Sequence, residues 1–126
     1  MNTDIQSKIY PDFQSFENIL NEWKSNNEIL VFTNGCFDVI HHGHVDSLEK
    51  SAQLGTKLIV GLNSDESVKL LKGFDRPVMD EQARAIILAA FGFVDAVVIN
   101  PHHFIDCGVG SGGVVGELYP DALLPQ

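Results

Sequence analysis

Three of the five histidines in this 126-residue chain fall within four positions, in the stretch "TNGCFDVIHHGH" from Thr33 to His44. Clustered imidazoles do one of two kinds of chemistry: they ligate a metal ion, or they donate hydrogen bonds to an oxyanion. His41 and His44 stand three residues apart, so at the start of a helix both rings can turn toward one point. They could share a zinc ion there. A zinc site takes three or four protein ligands, however, and only Asp38 and Asp46 add carboxylates at close spacing, so no metal ligand set is assigned. Phosphate fits the pattern better. Gly43 lets backbone approach an anion with no Cβ in the way, and a helix beginning near it presents unpaired N–H groups and a partial positive charge. His42 is expected to point away, as a solvent or packing residue, and His102 and His103 to sit on a surface loop. Cys36 reads as a small buried filler and Asp38 as a residue that fixes the turn by an Asx-type hydrogen bond.

The elements that would hold this loop can be read around it. Asp12 caps a helix carrying Phe13, Phe16, Leu20 and Trp23 on one stripe. "EILVFT" (28–33) is a short apolar strand that ends at Asn34-Gly35, directly before the histidines. A helix from Gly43 with Val45, Leu48 and Ala52 on one face is terminated by Gly55, and "KLIVGLN" (57–63) is a second strand. Ser64 or Asp65 caps a short helix through Leu71, and residues 72–79 form a loop. Asp80 opens a helix with Ala83, Ile87, Ala90 and Phe91 inward, and "DAVVI" (95–99) is a third strand. Continuous rather than alternating hydrophobicity means that the strands are covered on both faces, hence parallel. The fold class is α/β, a Rossmann-like three-layer α/β/α arrangement in one domain: a leading helix (1–27), a core (28–99) and an atypical C-terminal segment (100–126).

Beyond Asn100, five glycines between Gly108 and Gly116 disfavour regular structure, leaving a loop or a frayed helix near Val114–Leu118. "DALL" (121–124) is a possible fourth strand. A sheet ending there has a bare edge, which further residues or a dimer partner would cover, and a homodimer is the expectation.

Composition narrows the partners. Seventeen acidic against eight basic residues give a net charge of −9, which argues against a nucleic-acid or anionic-membrane surface. No stretch is apolar enough for a bilayer span and the N-terminus lacks the features of a signal peptide, so a cytoplasmic location is expected. Cys36 and Cys107 lie far apart in sequence and are expected to be free thiols.

"GCFDVIHHGH" resembles the GxFDxxHxGH signature of the cytidylyltransferase-like nucleotidyltransferase superfamily, with "HHGH" as its HxGH motif. The surrounding "LNSDESVKLLKG", "RPV" and "EQARAIILAAFGFVDAVV" are similar to the adenylyltransferase domains that make ADP-heptose for lipopolysaccharide biosynthesis. The resemblance implies transfer of AMP from ATP to a sugar 1-phosphate, heptose 1-phosphate above all, with release of pyrophosphate and no covalent enzyme intermediate. Mg²⁺ would enter with the ATP. It also implies that His41, His44 and Lys72 are catalytic, and that Thr33, Asn34, Gly35, Cys36, Phe37, Asp38, Gly43 and Arg84 bind the nucleotide. Asn63, Asp65 and Arg76 fall on the acceptor side. A CTP-dependent enzyme acting on a phosphorylated polyol such as glycerol 3-phosphate, or a catalytically impaired nucleotide-binding module, are the alternatives. After Ile99 the chain departs from the family pattern. "NPHHFIDCGVGSGG" replaces an acidic stretch and "YPDALLPQ" matches only the start of the next motif, so the C-terminal part is expected to be short.

Overall fold

The computed structural model describes residues 4–100 and 114–117. Their centre is a five-stranded sheet of order β1-β4-β3-β2-β5, with β1 Ile9–Tyr10, β2 Leu30–Gly35, β3 Lys57–Asn63, β4 Ala96–Asn100 and β5 Val114–Glu117. Strands β1 to β4 are parallel, while β5 pairs antiparallel with β2, with a register shift between Phe32 and Thr33. Among the described residues a 3-10 turn at Gln6–Lys8 and four α-helices complete the fold: α1 Phe13–Ser25, α2 His42–Ala52, α3 Asp65–Lys72 and α4 Glu81–Ala90.

All six residues of β2 and all but the first of β3 are buried, because helices cover both sheet faces. The period of two along each strand divides the core. Val31, Leu58, Val60, Leu62, Val97 and Ile99 pack with Leu48, Leu88 and Ala89 of α2 and α4. Leu30, Phe32, Ile59, Ala96 and Val98 pack with Phe16 and Leu20 of α1. The expected three-layer α/β/α arrangement is therefore present. Asp12 caps α1 by accepting from the Ser15 N–H at 2.7 Å, Ser64 caps α3 and Asp80 caps α4.

Four details differ from the sequence reading. Helix α4 buries Arg84, Ala85, Leu88 and Ala89, whereas Ile86 and Ile87 are more than a third exposed, so the expected inner face is rotated. The cause is Arg84, whose burial no hydrophobic pattern anticipates. Gly55 does not end α2 through a left-handed cap, since the helix closes at Gln53 in ordinary helical conformation. It is needed elsewhere: a Cβ at Gly55 would stand 2.5 Å from the Ile29 carbonyl oxygen, at the point where the chain passes the start of β2. Residues Val114–Glu117 form a strand on β2 rather than a loop or helix, because β2 offers an unpaired backbone edge that overrides weak glycine-rich propensity. The two-residue strand β1 was too short to show a period at all. The possible strand at 121–124, and His102 and His103, lie outside the described residues.

Candidate active site

The histidine loop leaves the carboxyl end of β2 through Phe37, whose φ of 48° is left-handed and disfavoured by about 1–2 kcal/mol in a non-glycine residue. The Phe37 ring, fully buried in the core, holds the turn in place and packs against the His44 ring with centroids 5.2 Å apart. His41 is then the N-cap of α2. Its Nδ1 accepts from the Gly43 N–H at 3.0 Å, and the Nδ1 of His44 accepts from the His41 N–H at 3.2 Å. Imidazoles thus perform the reciprocal capping that Ser and Glu usually perform. A neutral imidazole accepting at Nδ1 carries its proton on Nε2, so this pair of backbone contacts makes both rings Nε2–H donors. The ring centroids are 4.1 Å apart. Gly43 is required for a reason more specific than access: a Cβ there would stand 2.8 Å from Cε1 of His41.

Both rings open onto a cavity of about 510 Å³ lined by Asp38, Val39, His41, His44, Lys72 and Arg76. Lys72 is the last residue of α3, and Gly73, at φ 112°, turns the chain so that Arg76 returns to the same wall. Asp38, 7% exposed, accepts from Arg76 Nη1 at 2.9 Å and from the Val78 N–H at 2.6 Å. It does not make the expected local Asx turn. Its carboxylate instead fastens the 73–79 loop beside the histidines and aims the Arg76 guanidinium. His42 is exposed and does not line the cavity.

Arg84 corrects an expectation. It is 0% exposed, and four of its five N–H groups are engaged: Nε with the Met79 carbonyl at 2.9 Å, Nη1 with the carbonyls of Cys36 at 2.6 Å and Asn63 at 2.8 Å, and Nη2 with Asp65 Oδ1 at 2.7 Å. It fastens the ends of β2, β3 and α3 to one another and does not line the cavity. Asp65, whose N–H donates to Glu81 at 2.9 Å, and Asn63, whose Nδ2 donates to Ser67 Oγ at 2.9 Å, belong to the same hydrogen-bonded network and do not line the cavity. Asn63 Oδ1 has no partner among the described residues. Thr33, Asn34 and Gly35 are buried within β2 and do not line the cavity. Cys36 is 1% exposed and disulfide-bonded, not the expected free thiol, and Cys107 lies outside the described residues. Val39, on the cavity wall, was missed because nothing distinguishes an exposed valine in a loop.

Among the described residues no group of three or more His, Cys, Asp or Glu side chains is placed to hold a metal ion. Asp38, the carboxylate in the cavity wall, already has both oxygens occupied. Among the described residues no helix is long and apolar enough to cross a membrane.

Parallel α/β domains take nucleotides and other anionic ligands where strand ends meet helix N-termini, and this cavity occupies that position with two imidazole donors and two cations. The class is thus an α/β domain of Rossmann-like architecture with a basic cavity at its strand ends. Comparison with known families specifies it: the chain belongs to the cytidylyltransferase-like family, whose profile matches residues 32–123. It is 56% identical over 96 residues to the "Bifunctional protein HldE" of Campylobacter jejuni serotype O:6, covering 76% of this chain and 20% of that protein. The protein of the same name from Helicobacter acinonychis is 47% identical over 120 residues, 95% of this chain and 25% of the relative. The chain thus spans a fifth to a quarter of the length of these relatives. Among solved structures, the lipopolysaccharide core biosynthesis protein from Thermoplasma volcanium superposes with a TM-score of 0.56 at 27% identity, covering 65% of this chain and 66% of the other.

Proposed function

We propose that this domain transfers AMP from ATP to a sugar 1-phosphate, heptose 1-phosphate being the first candidate, with release of pyrophosphate. The observation that carries the reading is the pair of reciprocal caps that makes His41 and His44 Nε2–H donors at one cavity, facing Lys72 and Arg76. In this reaction a phosphate oxygen of the sugar attacks the α-phosphorus of ATP in line, the bond to the bridging oxygen breaks, and pyrophosphate departs. Negative charge grows on the transferring and leaving phosphates, where fixed donors act most strongly. His41 and His44 bind the triphosphate and hold that charge, and the N-terminus of α2 adds its partial positive charge. Lys72 and Arg76 neutralise the outer phosphates, and Asp38 keeps Arg76 aimed. Mg²⁺ entering with ATP would be held by the triphosphate beside Lys72 and Arg76, and would supply neutralisation of phosphate charge. The similarity to the bifunctional HldE proteins supports the sugar-phosphate assignment. An exposed apolar rim of Leu70, Leu71, Phe74 and Val78 supports a homodimer.

The test is pyrophosphate release with Mg²⁺, using ATP and CTP against heptose 1-phosphate and glycerol 3-phosphate. Turnover with ATP and heptose 1-phosphate is expected. Preference for CTP with glycerol 3-phosphate, or calorimetric binding of ATP without turnover on any acceptor, overturns the assignment in favour of the polyol enzyme or of a nucleotide-binding module respectively.

A further inference from the structure

A second cavity, of about 400 Å³, lies at the opposite end of the sheet, where β3 and β4 begin. Its size falls in the range of small-molecule sites, about 300–1,000 Å³. Tyr10, Ile19 and Trp23 give it an apolar wall, with the Tyr10 and Trp23 rings both braced edge-on by the buried Phe16 at 5.0 and 5.7 Å between centroids. Two of the chain's eight basic residues, Lys8 and Lys57, line the same space.

These groups are not all accounted for by folding. Lys8 is: its ammonium is buried and donates to the carbonyls of Ala89 at 3.1 Å and Phe91 at 3.3 Å, closing the C-terminus of α4. Lys57 is different. Its Nζ sits 5.3 Å from the centre of the Trp23 ring, and no carboxylate among the described residues forms an ion pair with it, although the chain carries seventeen acidic residues. Among the described residues the Tyr10 hydroxyl and the Trp23 indole N–H have no hydrogen-bond partner either. Burial, with the charge of Glu22 second, pushes the Tyr10 phenol above its ordinary value, so it stays a neutral O–H donor. Asp95 supplies the complementary function: one oxygen accepts from the Leu58 N–H at 2.8 Å, leaving the other to accept from a ligand.

We infer that this cavity binds a small ligand that combines a flat ring, one anionic group and a hydroxyl or amino donor, the chemistry of a nucleoside monophosphate. The ring packs against Tyr10 and Trp23, the anion pairs with Lys57, and the hydroxyl or amino donor reaches Asp95. A neutral ring compound lacks the partner for Lys57, and inorganic phosphate lacks the partner for the aromatic wall.

Trp23 is the single tryptophan of the chain, so its fluorescence reports on this cavity and not on the histidine site. The experiment titrates AMP, adenosine and inorganic phosphate into the full chain while reading Trp23 emission. AMP is expected to give a saturable change, with adenosine and phosphate at least tenfold weaker. Affinity for AMP should fall at least tenfold in Lys57→Glu and in the milder Lys57→Gln, each checked for native circular dichroism, and persist in His41→Ala. No saturable change with AMP overturns the proposal, as does equal affinity for adenosine, or unchanged affinity in either natively folded Lys57 variant. Loss of the signal in His41→Ala also overturns it, since the response would then come from the histidine site.

Discussion

Replacing Arg84 with methionine separates a structural guanidinium from a phosphate-binding one. Methionine keeps most of the volume of the buried stem but removes all four hydrogen bonds, so the carbonyls of Cys36, Asn63 and Met79 lose their donor inside the protein. Asp65 is about a third exposed and can turn to water, so the carbonyls dominate the cost. Each unsatisfied buried acceptor costs about 1–3 kcal/mol, and the three share one site and do not add fully. Breaking a buried charged cluster by removing one partner costs about 3–5 kcal/mol, which is the value expected here. For a domain of this size 1 kcal/mol moves Tm by about 4 °C, so Tm should fall by about 12–20 °C. Thermal unfolding followed by far-ultraviolet circular dichroism reads this directly, with ATP affinity measured well below the transition. A variant that melts within a few degrees of the parent yet no longer binds ATP would refute the reasoning, because it would make Arg84 a phosphate ligand after all.

Other consequences follow from the same geometry. Gly43→Ala places a Cβ against Cε1 of His41 and should displace that ring, lowering kcat/KM for pyrophosphate release at least tenfold while lowering stability by about 1 kcal/mol, the worth of a cap. Asp38→Asn keeps the shape but weakens the hold on Arg76; the expected signature is a raised KM for ATP with a smaller change in kcat, measured by initial rates. Asp12→Ala removes the cap of α1, which is no part of the cavity lining, and should cost about 1 kcal/mol in urea unfolding with kcat/KM unchanged. The raised pKa of Tyr10 means that folding favours its neutral form. That contribution is complete below about pH 10 and is lost as pH climbs through the raised value, so Tyr10→Phe should flatten the alkaline limb of the stability profile.

What could be read from sequence divides along physical lines. The long parallel strands and α1 announced themselves because an apolar run covered on both faces, and a 3.6-residue stripe behind Asp12, have no other economical explanation. The histidine loop was legible because His41, Gly43 and His44 are rare types at a spacing that a helix start converts into convergence. Arg84 was misplaced because a cation on a helix is ordinarily solvated. Its burial depends on the carbonyls of Cys36 and Asn63, 48 and 21 residues away, which no local pattern encodes. The Asp38–Arg76 pair, 38 residues apart, is hidden for the same reason. Strand β5 was hidden because pairing with β2 decides it, not the propensities of a glycine-rich segment.

The central claim is that His41 and His44 act together as Nε2–H donors on the phosphates of a nucleotide. The most direct measurement is single-turnover pyrophosphate release from ATP and heptose 1-phosphate in the parent and in His44→Ala. Loss of one donor aimed at developing charge lowers the rate by about 10²–10³ while the fold persists, and this is the result expected. A natively folded His44→Ala variant that releases pyrophosphate at the parental rate would contradict the account.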